Sequence, residues 1–258
     1  MLLFIVPLKS KVVSKDWDLV CKLLNRCLNS ICNQTNSNFM VLVSCHEIPD
    51  TNYNNDSRIK FLQVDFPPPN LKKTSEDYSL KEADKGKKIL FATEYSKKLH
   101  VNYVMTVDAD DCISNKISEF VNKKGRDTLP GWYINKGYLY PEGKKYAYLN
   151  LKNFHTICGS CVIIKPELIF LMFKNNFWFD HQVTKFDNGI YLRPLPFPGA
   201  LYSMLNGTNH VLDRNEMKIR TQIKPSNLQS IKTIFRRLGK YRIVATLFIR
   251  KEFNLDNI

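Results

Sequence analysis

The sequence has no apolar run approaching the roughly 20 residues that a membrane-spanning helix needs. Its start, MLLFIVPLKS, is apolar, but it has neither a basic leader nor a small-residue cleavage site, and Pro7 and Lys9 interrupt it. We therefore expect a cytoplasmic protein whose first apolar residues form a buried strand. Internal repeats and low-complexity linkers are also absent, so the 258 residues are predicted to form one large domain followed by a tail.

Paired cysteine motifs are scarce as well. Seven cysteines, an odd number without an export signal, predict free thiols in a reducing compartment. Cys158 and Cys161 have redox-motif spacing, but the apolar run VIIKPEL follows them where a thioredoxin-type motif would open a helix. No second CxxC completes a zinc site. We interpret the pair as two buried thiols.

Acidic residues are missing from residues 217–251, which contain ten Lys or Arg. This segment supplies most of the formal net charge of +14. The remaining body is only mildly basic, so a nucleic-acid partner is not needed to explain the charge and none is expected. The sequence thus predicts a domain over 1–213 and a basic tail over 214–258.

In the first half of the chain, continuous apolar runs alternate with segments whose apolar residues recur every three or four positions, as in a helix. Strands are predicted at 2–6, 39–43, 59–64 and 102–107. Helices are predicted from Ser14, as a plausible N-cap, to about Ile31, and over 81–99. Continuously apolar strands separated by helices predict an α/β fold with a mostly parallel sheet covered by helices. Ligands of such sheets bind beyond the carboxyl ends of the strands.

The sequence pattern changes after residue 130. Short aromatic strands separated by Gly and Pro are predicted over 131–151, a helix over 165–173, and a Pro-interrupted loop leading to a further strand over 193–205. This second half, residues 113–213, is expected to form a small mixed subregion beside the half at 1–112.

The stretch VMTVDADD places three carboxylates, Asp108, Asp110 and Asp111, directly after an apolar strand. Like charges this close usually need a cation or hydrogen-bond donors among them. A solvated loop is one interpretation; a calcium loop lacks its third ligand and its Gly, and a dehalogenase-type phosphatase carries its acidic pair after the first strand. The favoured interpretation is that Asp108 and Asp110 hold Mg²⁺ or Mn²⁺ against a diphosphate.

Several further motifs follow in a recognisable order. They are FIVPLK at the first strand, NQTNSNFMVLVSCHE at the second, DKGKK before the VDADD strand, and then HTICGSCVI, FWFDHQ and GTNHV. In this order the sequence resembles the GT-A-type, family 2-like glycosyltransferases that use nucleotide sugars. The resemblance covers about residues 1–210 and implies a Rossmann-like GT-A fold. One departure is SCHE, where such enzymes often carry Asp pairs.

The resemblance implies roles around the donor. Pro7 would pass close to the nucleoside, and Glu47 is a substitute for the missing Asp that contacts the base. Lys85 and Lys88 would meet phosphate, the alternative being a solvated helix start. His210 would complete the metal shell. Asp111 would either orient the loop or touch the sugar.

The resemblance also implies roles on the acceptor side. His155 and the backbone of Gly159 and Ser160 would line the sugar and acceptor. Asp180 would be the general base, with His181 as the nearest rival and Asp187 as a third candidate. Four aromatic residues could stack on sugars or belong to the core: Trp132, Tyr133, Trp178 and Phe179.

These expectations describe a metal-dependent glycosyltransferase that moves a sugar from a nucleoside diphosphate to a hydroxyl, with inversion, on a surface polysaccharide or glycolipid. A saccharide or a lipid-linked saccharide would be the acceptor. One rival is a sugar-nucleotide pyrophosphorylase, which would need a Gly-rich loop where VPLKSKVVSKD has no Gly. Another is a non-catalytic, basic membrane- or RNA-binding protein on a degenerate GT-A core.

The tail suggests a membrane partner. Ile231, Ile234, Phe235 and Leu238 share one face of a predicted helix, with cations elsewhere. Residues 226–251 would therefore lie on an anionic membrane at its inner face. The alternatives are packing on the catalytic domain or a second subunit, and RNA binding without a recognisable motif.

Overall fold

A computed structural model describes residues 1–72, 77–125, 128–207 and 240–255. Alternating strands and helices build its first half, as predicted. In chain order they are β1 Leu2–Pro7, α1 Trp17–Cys32, β2 Phe39–Cys45, β3 Ile59–Gln63, α2 Asp77–Ser96 and β4 Tyr103–Thr106. All six residues of β1 are buried, which explains why the strand is uniformly apolar.

The start of α1 differs from the prediction. Asp16 is its N-cap, with the carboxylate accepting a hydrogen bond from the backbone amide of Leu19 at 2.9 Å. Ser14 instead closes a short 3₁₀ helix, Lys11–Val13, that Ser10 caps. The predicted apolar spacing is confirmed, because Val20, Leu24 and the other inward positions of α1 are buried.

The central sheet has seven strands in the order β10-β6-β9-β4-β1-β2-β3. Strands β4, β1, β2 and β3 are parallel to one another. Three short strands from the second half extend the sheet: β6 Gly131–Tyr133, β9 Val162–Ile164 and β10 Arg193–Pro194. β9 is antiparallel to both β4 and β6. The predicted halves therefore share one sheet, and the α/β fold with a parallel-rich sheet is confirmed.

A second sheet lies in the later half, in the order β12-β8-β7-β11-β5. Its strands are β5 Cys112–Ile113, β7 Gly137–Pro141, β8 Tyr146–Asn150, β11 Ala200–Met204 and β12 Tyr241–Ala245. Strands β7 and β11 pair in parallel, and the other pairs are antiparallel. Helix α3, Ile117–Lys124, connects the two sheets in sequence. The predicted helix at 165–173 is a 3₁₀ helix, Pro166–Met172.

The described part of the tail, residues 240–255, is not the predicted amphipathic helix. Strand β12 pairs with β8, and the 3₁₀ helix Thr246–Phe248 and helix α4, Arg250–Phe253, follow. Ile249, Phe253 and Leu255 are buried against the second sheet, where the Phe253 ring lies 5.4 Å from that of Tyr138. This end of the chain therefore packs on the domain. The apolar face predicted over 231–238 lies outside the described residues. Among those that are described, no helix is long and apolar enough to cross a membrane.

Candidate active site

A cleft of about 460 Å³ opens beyond the carboxyl ends of β1 and β4. Its walls come from the end of β1, the buried side of α2, the DADD turn and the loops before β9 and before β10. Ten of the candidate residues line it: Pro7, Lys85, Lys88, Asp108, Asp110, Gly159, Trp178, Phe179, Asp180 and His181. A larger groove of about 670 Å³ elsewhere on α2 is mostly apolar and contains none of the predicted residues.

Seven candidate residues do not line this cleft: Glu47, Asp111, Trp132, Tyr133, His155, Ser160 and Asp187. His210 lies outside the described residues, so its predicted metal contact stays a prediction.

Asp108 forms an ion pair with Lys85 across the floor of the cleft. The Lys85 Nζ lies 2.5 Å from Asp108 Oδ1, and both side chains are about a quarter exposed, at 24% and 25%. The Asp108 backbone amide donates to Ser160 Oγ at 2.8 Å. Together these contacts fix the first carboxylate of the motif and bring a cation from α2 against it.

Asp110 also faces the cleft. Its Oδ2 accepts a hydrogen bond from Asn206 Nδ2 at 2.8 Å. Burial and the charge of Asp108 raise the pKa of Asp110. A cation between the two carboxylates would relieve both effects.

A divalent metal fits this donor set. Mg²⁺ is usually held by one or two carboxylates together with substrate phosphates. Asp108 and Asp110 supply two such carboxylates. Within residues 1–72, 77–125, 128–207 and 240–255, no cluster of three or more His, Cys, Asp or Glu is suited to a metal. The remaining ligands would therefore come from substrate, water or His210.

Asp111 orients the loop, and the structure does not support its predicted donor contact. Its side chain is fully buried, with Oδ2 accepting from Ser160 Oγ at 2.7 Å and Cys158 Sγ at 3.2 Å. Oδ1 accepts from the Ser203 amide at 3.3 Å. Burial, followed by the charges of Asp110 and Asp108, raises the pKa of Asp111 well above its usual range. Ser160 thus joins Asp111 to the Asp108 backbone as a bridge behind the cleft.

Lys88 belongs to the wall of the cleft. Its ammonium donates to the Leu8 carbonyl at 2.8 Å and to Asp84 Oδ2 at 2.6 Å, and the side chain is 1% exposed. Asp84 Oδ1 in turn lies 3.0 Å from His46 Nε2. The predicted phosphate contact does not match this geometry, because Lys88 is used to hold α2 against the end of β1.

Glu47 is used in a similar structural way. Its two carboxylate oxygens accept from Ser10 Oγ at 2.8 Å and from the Lys11 amide at 3.0 Å. These bonds hold the 3₁₀ turn that follows β1 and leave Glu47 outside the cleft lining. Its predicted contact with a base does not fit this position, because both carboxylate oxygens already accept hydrogen bonds outside the cleft.

Asp180 also lines the cleft and is 8% exposed. Lys174 Nζ is 2.5 Å from its Oδ2, and the Gln182 amide donates to its Oδ1 at 3.1 Å. Burial raises the pKa of Asp180, but these two bonds together with the charges of Lys174 and His181 lower it overall. Asp180 is therefore an ionised carboxylate at neutral pH, as a general base must be.

His181 also lines the cleft, with its Nδ1 2.7 Å from the His155 carbonyl oxygen. Burial, followed by the charge of Lys85, lowers the pKa of His181. The His155 ring packs edge-on against Tyr133 at 4.7 Å. His155 therefore contributes its carbonyl, which orients His181, and its ring lies away from the cleft.

The aromatic candidates divide into two groups. Trp178 lines the cleft, and its ring lies 5.6 Å from that of Tyr78 on α2. Trp132 is core, packed against Tyr103 at 5.0 Å. Phe179 is buried but still borders the cleft.

Arg26 is the most informative residue that the sequence interpretation missed. It donates to both oxygens of Glu142 at 2.8 and 3.0 Å, to Ser203 Oγ at 2.7 Å and to the Asp110 carbonyl at 3.3 Å. The signal was a cation among the inward positions of α1. Arg26 ties the DADD turn to the second sheet without entering the cleft.

The cysteine interpretation is confirmed. Cys158 and Cys161 are buried free thiols. Burial and the neighbouring carboxylates raise the pKa of the Cys158 thiol well above its usual range. This thiol is therefore protonated and donates to Asp111.

No protein-family model and no curated protein matches the chain. Among solved structures, S. aureus TarS matches at 14% identity over 79% of this chain, with a TM-score of 0.43. S. aureus TarS 1–349 in complex with UDP and in complex with UDP-GlcNAc matches with TM-scores of 0.46 and 0.45, again at 14% identity and over 79% and 81% of this chain. The alignments span 36% of TarS and 60% and 61% of the two complexes. These likenesses are too distant to assign a family or an activity.

Proposed function

We propose that the chain is a glycosyltransferase that moves a sugar from a nucleoside-diphosphate sugar to an acceptor hydroxyl. The observation that carries this proposal is one cleft that joins an acidic pair and a cation, Asp108, Asp110 and Lys85, to a separate ionised carboxylate, Asp180. The first group suits a diphosphate with its metal, and the second suits proton removal from an acceptor.

The metal would be Mn²⁺ or Mg²⁺, held by Asp108 and Asp110, with His210 as a further proposed ligand. When bound, it would supply positive charge that stabilises the departing diphosphate. Lys85 would add a second cation on the side of α2.

Inversion would need a base opposite the leaving group, and Asp180 is our candidate. The acceptor oxygen would attack the anomeric carbon as the bond from that carbon to the diphosphate oxygen breaks. The diphosphate would leave with the bonding electron pair, and the hydroxyl proton would pass to Asp180. Trp178 would offer a ring face to a sugar on the same side of the cleft.

A lipid-linked saccharide at the inner face of a membrane is the acceptor that we propose. Three large apolar side chains near the end of the described chain are exposed, with Ile243 at 74%, Leu247 at 73% and Phe248 at 81%. The exposed Arg250 and Lys251 follow after the buried Ile249. Apolar groups beside cations suit the interface of an anionic membrane.

Product analysis tests the reaction class. The protein would be incubated with Mn²⁺ and a panel of nucleotide sugars, each with and without a mixture of saccharide and lipid-linked acceptors. Release of a nucleoside diphosphate that increases with acceptor is the expected result. Pyrophosphate-dependent formation of a nucleoside triphosphate would indicate the pyrophosphorylase instead. Mn²⁺ and nucleotide that bind without affecting each other would indicate a non-catalytic protein.

A further inference from the structure

The Lys85 ammonium pairs with the Asp108 carboxylate, to which a metal would bind. Its Nζ lies 2.5 Å from Asp108 Oδ1, within direct ion-pair distance. The first carboxylate of the DADD turn is therefore already neutralised by a side chain of this protein. A divalent cation that reaches Asp108 must compete with that ammonium.

The ion pair is built into the cleft and is not a chance surface contact. Both side chains are about three-quarters buried, since their exposures are 24% and 25%. Gly159 lies directly against the pair: a Cβ at that position would be 2.5 Å from Asp108 Oδ2 and 3.0 Å from Lys85 Nζ. The Ser160 hydroxyl fixes the Asp108 backbone from behind at 2.8 Å. Lys85 lies on α2, outside this turn, so its ammonium can move without breaking the bond between the Asp108 amide and Ser160.

The same helix provides a second acidic group. Glu82 lies three residues before Lys85 on α2 and also lines the cleft. Residues three apart on a helix are neighbours on its surface. The ammonium can therefore leave Asp108 and stay in an acidic, partly buried environment at the mouth of the cleft.

The geometry points to Lys85 as an exchangeable counter-ion that keeps divalent metal off Asp108 until a diphosphate arrives. In the nucleotide-free protein, Lys85 satisfies Asp108 and weakens metal binding. When a diphosphate enters, the Lys85 ammonium would transfer to its phosphate oxygens, and the vacated Asp108 carboxylate would be free to hold a metal. The second half of this exchange rests on the proposed function, whereas the competition at Asp108 does not.

Mn²⁺ binding without nucleotide tests the competition directly. Free Mn²⁺ would be measured by electron paramagnetic resonance during titration of the wild type, Lys85→Gln, Lys85→Arg and the control Lys81→Gln. Lys81 lies one turn away on α2 and lines the same cleft, whereas the ion pair with Asp108 is made by Lys85. Lys85→Gln should bind Mn²⁺ about tenfold more tightly than wild type, which corresponds to about 1.4 kcal/mol. The two other variants should stay close to wild type.

Two further readouts make the test specific. Adding Asp108→Asn to Lys85→Gln should remove the gain in Mn²⁺ affinity, since the two residues share one interaction. Binding of UDP without metal should weaken in Lys85→Gln, in the opposite direction to Mn²⁺. Unfolding curves would verify that each variant is folded.

Unchanged or weaker Mn²⁺ binding by folded Lys85→Gln would overturn the inference. An equal gain in Lys81→Gln would overturn it too, because the effect would then be one of general charge. If the Mn²⁺ result holds but no nucleotide binds, the proposed function fails and the competition at Asp108 stands.

Discussion

At the scale of single residues, three neighbouring aspartates have three different environments. Asp108 pairs with Lys85, Asp110 faces the cleft beside Asn206, and Asp111 is fully buried behind them. Their covalent chemistry is the same, so their roles follow from what surrounds each carboxyl group. The two cleft-facing residues suit metal binding, and the buried one supports the loop.

Asp111→Ala should destabilise the fold. It would leave the Ser160 hydroxyl and the Ser203 amide without their buried acceptor, which costs about 1–3 kcal/mol for each unsatisfied group. Urea denaturation would measure the loss against Asp187→Ala, a carboxylate in an exposed position. An Asp111→Ala protein as stable as the control would refute the loop-supporting role.

Asp180→Asn should lower turnover by at least about 10²-fold, the low end for a general base, and leave donor binding intact. The pH dependence of the wild-type turnover rate tests the role of Asp180 independently. A base must be deprotonated, and the pKa of Asp180 is lowered from an already acidic value. The wild-type rate should therefore be flat from about pH 5 upward.

A loss of rate as pH falls toward 6 would instead indicate a histidine, with His181 as the base. Near-normal turnover by Asp180→Asn would likewise move the role to His181 or Asp187.

At the scale of elements, helix α2 organises the cleft. It carries Lys85 against Asp108, and it is held to the end of β1 by Lys88. Next to Lys85, Gly86 meets the backbone carbonyl of Phe177, in the loop that leads to Trp178 and Asp180. Helix α2 therefore contacts both the turn at Asp108 and the loop that carries Asp180.

Gly86→Ala should reverse the usual effect of this substitution. Replacing Gly by Ala within a helix ordinarily stabilises it by roughly 0.5–1 kcal/mol. Here the added Cβ would overlap the Phe177 carbonyl oxygen, so we expect a net loss of about 1–3 kcal/mol and reduced turnover. Urea denaturation and kinetics would be compared with Glu94→Ala, an exposed change on the same helix. A more stable Gly86→Ala would contradict the close packing.

The buried strands were predictable because each is a continuous apolar run that the parallel sheet covers on both faces. The sequence pattern did not decide between alternative local structures, such as two possible helix caps. Ser14 and Asp16 can both cap a helix, and the preceding 3₁₀ turn, held by Ser10, selects Asp16. Residues 241–245 form a strand because β8 pairs with them, a contact distant in sequence.

The candidate site also contains residues whose position the sequence predicts and residues whose role only the fold decides. Asp108 and Asp110 were predictable because they follow β4 directly. Lys85 and Lys88 could not be distinguished in advance, since both flank Gly86 on the same helix. Only the folded positions of Asp84 and the Leu8 carbonyl assign Lys88 to the wall.

At the scale of the whole molecule, positive charge is concentrated in one segment of the chain, which also contains exposed apolar side chains. Residues 217–251 carry ten of the cations and no acidic residue. Within this segment, the described residues Ile243, Leu247 and Phe248 expose most of their surface. The combination predicts peripheral, salt-sensitive attachment to anionic membranes.

Phe248→Glu should reduce co-sedimentation with anionic vesicles, because it removes an apolar contact and adds a repelled charge. Phe170→Glu is the matched control, since Phe170 is also exposed, at 60%, but lies outside the basic segment. Wild type should bind anionic vesicles at low salt and release them at high salt, as exposed cations act within a Debye length. Equal binding to neutral and anionic vesicles, or none to either, would refute the membrane role.

The central claim is that the acidic pair in the cleft holds a metal against a nucleoside diphosphate. The most direct measurement is calorimetric titration of nucleoside diphosphates, with and without Mn²⁺, into wild type and Asp110→Ala. We predict that Mn²⁺ strengthens binding of at least one diphosphate to wild type, and that Asp110→Ala abolishes this strengthening while it remains folded and loses all turnover. Asp110→Ala with unchanged Mn²⁺-dependent binding, or wild-type turnover that persists in EDTA, would contradict the account.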